Sequence, residues 1–181
     1  MLTHLFSPDA CAHCRLCCNF HRRTAWETPA LEPEAVDRLH KMNVPFTKHA
    51  NGADTIALPF LSGDPEEVAL CPLLDTTRGC TLPRAERPFE CRIWPLRLMH
   101  DADGTLLIGC YDACPALSPA VQESLHAFAT GDLLPHLLAF AKDNPKAIRP
   151  LDPAYHIVWR APSKSQILHP KSEILNRPAF K

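Results

Sequence analysis

Glycine is scarce in this chain of 181 residues: six occur, against 19 prolines. Average proteins run about 7% glycine and 5% proline, so the connections here are stiff and the elements between them short. An excess of charge of either sign is lacking too. Nineteen Lys and Arg stand against 20 Asp and Glu, a formal net charge of −1. That balance supplies no surplus cation to displace counterions from a nucleic acid and no basic face for a membrane surface. No apolar run approaches the ~18 residues of a membrane span. The opening stretch MLTHLFSPDACAHC has neither the basic nor the apolar region of a secretory signal, so the expected compartment is the reducing cytoplasm. There is no glycine-rich loop after a strand and no Ser/His/Asp arrangement, and Asp101, Asp103 and Asp112 read as turn residues rather than a carboxylate pair.

What the chain has in abundance is cysteine, nine residues of it. The number is odd and Cys17 adjoins Cys18, which argues against a disulfide framework. In a reducing compartment clustered thiols hold metal or do redox chemistry. With 46% hydrophobic and 22% charged residues the chain has the material for one globular core.

Residues 11–20, CAHCRLCCNF, predict a short helix with Cys11, Cys14, Cys17 and Cys18 on one arc. Leu31, Ala35, Val36, Leu39 and Met42 recur at helical spacing, with Glu32 and Glu34 in the first turn, predicting an amphipathic helix over 31–42. Thr55–Leu61 and Val68–Cys71 read as a small hairpin or two edge strands. Residues 92–99 and 105–110 flank HDADG as a β-hairpin. Ser118 and Pro119 start a helix that Gly131 ends, and Asp132 is the expected cap of a second helix reaching Lys142. Beyond Asn144 six prolines fall in 37 residues. The expectation is a metal-binding domain over 1–144 and an extended tail over 145–181 packed on the same domain, anchored by Tyr155 and Trp159.

Cys11, Cys14, Cys17 and Cys18 form CxxCxxCC. Two residues between thiols let both reach one ion from a tight turn, and soft thiolates select zinc, iron or cuprous copper. The CxxCxxC run also matches that of bacterial 4Fe-4S ferredoxins. The adjacent fourth cysteine breaks that pattern, and neighbouring side chains are expected to diverge toward two ions or two corners of one centre. Cys110, at the end of an apolar strand, reads as a core residue.

With CPLL at Cys71 to Leu74, then Cys80, RPFECRIWP from Arg87 to Pro95, and CPAL at Cys114 to Leu117, the chain over residues 8–117 resembles the YkgJ-like cysteine-cluster proteins, described as zinc- or iron-chelating domains. The resemblance implies eight metal ligands, Cys11, Cys14, Cys17, Cys18, Cys71, Cys80, Cys91 and Cys114, enough for two four-coordinate centres. A flagellin lysine methylase has a similar cysteine cluster, so the resemblance extends to metal-dependent protein-modifying enzymes.

Arg84, Arg87, Arg92 and Arg97 lie among these cysteines. They either offset the charge of a thiolate centre or hold an anion, with Arg92 the candidate next to a ligand, or else they line a solvated strand face opposite Glu86 and Glu90. His13 and His21 flank the run as acceptable ligands that the thiols make unnecessary. The sequence thus predicts a small, irregular α+β domain organised by metal, with short helices, a β-hairpin and a proline-rich tail. An iron-sulfur (4Fe-4S) centre in a structural or redox role is favoured over zinc. The expected partners are metal ions and a protein, with no nucleic acid and no membrane.

Overall fold

Proline sets the helix starts. The computed structural model describes Leu2, Leu5, Phe6 and residues 14–162, and each α-helix reported in that span has a proline at or just before its first turn. These are α1 (Pro33–Lys41), α2 (Phe89–Ile93, after Pro88), α3 (Pro119–Thr130) and α4 (Leu134–Asp143, with Pro135). A ring that fixes φ and has no N–H to satisfy suits that position. Along α1, Ala35 and Leu39 are buried, Glu34 opens the helix, and Arg38, His40 and Lys41 close it, each charge at the favourable end of the dipole. The Ser118 hydroxyl accepts from Val121 N–H at the head of α3. Asp132 does not cap α4. Leu133 occupies that position without a side-chain bond, because the chain stays helical there (φ −81°, ψ −26°).

The central sheet is four-stranded, in the order β10 (Tyr155–Arg160), β8 (Leu106–Tyr111), β7 (Leu96–His100), β9 (Arg149–Pro150). β7 and β8 form the expected hairpin. Gly104 takes φ +83° in its turn, and the Asp101 and Asp103 carboxylates accept from Thr105 N–H. One face of the sheet, with Leu98, Ile108, Cys110 and Val158, packs with Leu125, Ala129, Leu137 and Phe140 of α3 and α4. Met99, Leu107 and Tyr155 form a separate buried cluster. Gly109 leaves no room for a methyl group between Met99 Sδ and Tyr155.

Part of the stretch from residue 145 joins the central sheet. Residues 149–150 and 155–160 supply both edges of the sheet, β9 parallel to β7 and β10 antiparallel to β8. Residues 163–181 of the expected tail lie outside the described span. Of the two alternatives considered over 55–71, the structure has two edge strands rather than a hairpin. Asp54–Ile56 (β3) pairs with Phe46–Lys48 (β2), and Val68–Leu70 (β4) pairs with Asn19–His21 (β1). The described architecture is mixed α and β, with short helices and several small sheets. No described helix is long and apolar enough to cross a membrane.

Candidate metal centre

Two chain segments 50 residues apart bring the first thiols together. β1 and β4 pair antiparallel with Asn19 opposite Leu70 and Phe20 opposite Ala69. One rung further, Cys71 N–H donates to Cys18 O at 2.9 Å. Phe20 and Ala69 are buried, and side chains on a strand alternate, so Cys18 and Cys71 fall on that same inner side. The expected helix over 11–20 does not run through. Arg15 adopts left-handed φ +53°, a 3-10 turn covers Leu16–Cys18, and β1 follows at once. In that tight turn the Cys17 and Cys18 sulfurs stand 3.8 Å apart. Neighbouring thiols that were expected to diverge therefore meet.

The remaining thiols arrive by a tight hairpin and a tethered helix. Cys71 O accepts from Leu74 N–H, opening a turn into the two-rung hairpin of β5 (Leu74–Asp75) and β6 (Gly79–Cys80), with Leu74 opposite Cys80. The Asp75 carboxylate gathers the loop by accepting from Thr77 and Arg78 N–H. Cys91 lies in α2. That helix is held by a residue whose reach the sequence does not reveal: Glu32, just before α1, accepts Phe89 N–H on both carboxylate oxygens at 3.1 Å.

Electrostatics links five of these thiols. Cys17 and Cys71 are each pushed down from the ordinary thiol value, first by their interaction with the Cys18 thiol, which is itself pushed up. Burial raises Cys80 and raises Cys91 further, and the charges of Cys17 and Cys71 push both the same way. One nearby cation is Arg87. Its charge favours the thiolates of Cys17 and Cys80, and its Nε–H donates to Leu82 O at 3.1 Å. Arg92 instead lies 3.9 Å from Glu32 and over the Phe89 ring. Cys14 is half-buried ahead of Arg15, and Cys11 and His13 lie outside the described residues. His21 faces Glu66, with Nδ1 3.7 Å from the carboxylate. Cys114 is buried and its charge bears on Cys110, a core thiol pushed up to about 12 chiefly by burial. Among the described residues no three Cys, His, Asp or Glu side chains are already arranged around one point as metal ligands.

Next to Cys91 lies a charge cluster in which Arg97 meets Glu90, as one sequence reading had it, but buried rather than solvated and joined by Arg149. Buried Glu90, next to Cys91, accepts Ala30 N–H at 2.6 Å and stands 3.5 Å from Arg97 and 3.4 Å from Arg149. Arg97 also donates to Glu27 O, and Arg149 to Trp26 O and Thr28 O. The two guanidiniums thereby tie β7 and β9 to the chain just ahead of α1. Nothing in the sequence pointed to Arg149. Comparison with family models, curated proteins and solved structures finds no match.

Proposed function

We propose that this chain is a metal-binding cysteine-cluster protein of the YkgJ-like kind, with a thiolate centre built from Cys17, Cys18, Cys71 and either Cys80 or Cys91. The observation that carries the reading is the 3.8 Å separation of the Cys17 and Cys18 sulfurs. Around an ion with metal–sulfur bonds of about 2.3 Å, two sulfurs of a tetrahedron lie about 3.8 Å apart. The pair therefore suits two ligands of one ion. In a 4Fe-4S cluster each iron takes a single cysteine, so the same spacing favours a single tetrahedral ion, zinc or iron, over the cubic cluster that the CxxCxxC run suggests. The donor set is chemically apt, and Arg87 offsets part of the negative charge that four thiolates bring. The role is structural: such an ion joins β1, the turn after β4, and β6 or α2, which otherwise share few backbone bonds, and its binding free energy becomes folding free energy. A second reading, an iron-sulfur cluster, is favoured by the count of thiols, since the five that influence one another electrostatically exceed what one ion needs. Anaerobic purification followed by metal and acid-labile sulfide analysis separates the two. Stoichiometric metal without sulfide is expected. Brown protein with iron and sulfide in near-equal amount would promote the cluster, and metal-free protein would end both readings.

A further inference from the structure

Cys18 and Cys71 stand opposite one another at the end of the β1/β4 ladder. The paired residues run from His21 with Val68 through Phe20 with Ala69 to Asn19 with Leu70. The next pair along is Cys18 with Cys71, closed by the 2.9 Å bond from Cys71 N–H to Cys18 O. In an antiparallel hydrogen-bonded pair the Cα atoms lie about 5.5 Å apart and both side chains leave the same face. Disulfides span Cα separations of about 4.4–6.8 Å, so the strands already hold this pair within reach of a bond. The two thiols also influence one another.

Among the described thiols no other pair faces across a ladder in this way. The Cys17 and Cys18 sulfurs are 3.8 Å apart, but a bond between chain neighbours closes a strained ring through the peptide that joins them. Cys80 stands opposite Leu74, Cys110 stands opposite Leu96 and His156, and Cys91 lies in α2. Exposure separates them further. Cys18 and Cys71 are half-buried, whereas Cys110 and Cys114 are buried, so a molecule as small as hydrogen peroxide reaches the ladder pair before the core thiols.

From this register we infer that Cys18 and Cys71 are a redox pair that empties the thiol centre: hydrogen peroxide closes them to a cross-strand disulfide, and the bound ion is released. The inference rests on the reading of that centre given above and adds its regulation. With peroxide as the oxidant the chemistry balances. One of the two thiolate sulfurs attacks peroxide and its O–O bond breaks; that sulfur keeps one oxygen as sulfenic acid, and the other oxygen leaves as hydroxide. The second thiolate sulfur then attacks the first, the S–S bond forms, the S–O bond breaks and a second hydroxide leaves. Two protons from solvent turn both hydroxides into water, and two electrons have passed from sulfur to peroxide. The ion keeps its charge and departs, because only two sulfurs of its four remain to hold it. β1 and β4 stay joined throughout, so release does not require the strands to part.

The test takes the full chain loaded with zinc, treats it with a small excess of hydrogen peroxide without air, then alkylates it and maps it by mass spectrometry without reduction. A Cys18 to Cys71 link should dominate, assigned by fragmentation of the joined peptides, with zinc lost to a colorimetric chelator in proportion to it. Dithiothreitol should reverse both changes. The same treatment in urea should lose the preference, since the strand register and not the sequence selects so distant a partner. Oxidation that goes first to a Cys17 to Cys18 bond, to sulfinic acid, or to a mixture that urea leaves unchanged overturns the pair. A Cys18 to Cys71 bond that leaves the zinc in place overturns the release. A chain that takes up no zinc overturns the centre and the release with it, whereas the disulfide, mapped on that metal-free chain, is still found or refuted.

Discussion

Cys18 is the residue on which the thiol centre turns, because its sulfur stands 3.8 Å from that of Cys17 and its carbonyl accepts from Cys71 N–H, continuing the β1 ladder to its last rung. Cys18→Ser and Cys17→Ser should each lose most of the bound metal by elemental analysis, since each leaves a four-thiolate set one sulfur short. Cys110→Ala should keep the ion of the thiol centre and cost about 1–2 kcal/mol of stability in a urea melt, as a buried core residue. His49 gives a separate, pH-dependent prediction. Burial first, and then the charge of Arg149, push its pKa from 6.5 down to about 4; its Nε2 lies 3.0 Å from Thr28 O and 3.1 Å from Arg149. Between those two pH values the unfolded chain takes up a proton that the native ring refuses. The stability tied to His49 is therefore whole above about pH 6.5 and is lost progressively toward pH 4. Urea midpoints measured across that window should fall with pH, and fall less steeply in His49→Asn.

Among the elements, β9 and β10 carry more than their length suggests. Without them β7 and β8 would be a bare hairpin, and such pairs are marginal in water. A chain ended at Asn144 should show no cooperative thermal transition by far-UV circular dichroism, having lost the buried side chains of Arg149, Tyr155 and Val158. The strands escaped sequence reading because proline masks them. Pro150 ends β9 after two residues, a register shift between Ile157 and Trp159 breaks the alternation of β10, and pairing with β7 and β8 is decided about 50 residues upstream. Local signals fared better. The period of α1, the Ser118-Pro119 start of α3 and the HDADG turn each sit within a few residues of the structure they dictate. The site divides the same way. CxxCxxCC announces a thiol cluster, but the left-handed Arg15 that turns Cys17 and Cys18 toward each other is not a glycine and gives no warning. Likewise, spacing alone could not tell Arg87 from Arg92, because α2 begins between them and carries Arg92 off to Glu32.

Taken as a whole, the molecule is held across its middle by one carboxylate. Glu90 lies between Arg97 and Arg149 and also accepts from Ala30, so it joins β7, β9 and the segment before α1 to α2. Glu90→Gln keeps the shape and removes the charge, leaving two buried guanidiniums without their counterion; a loss of about 3–5 kcal/mol is expected in equilibrium unfolding. The order of the chain gives this arrangement a direction in time. All five linked thiols precede residue 92, whereas the last sheet strand among the described residues ends at Arg160, a gap of 160 − 91 = 69 residues. At a synthesis rate of about 5–20 residues per second that gap lasts about 3–14 s. During that interval a nascent chain holds every one of these sulfurs outside a finished fold, open to whatever donor of metal attends the ribosome, before β9 and β10 have been made to close the sheet.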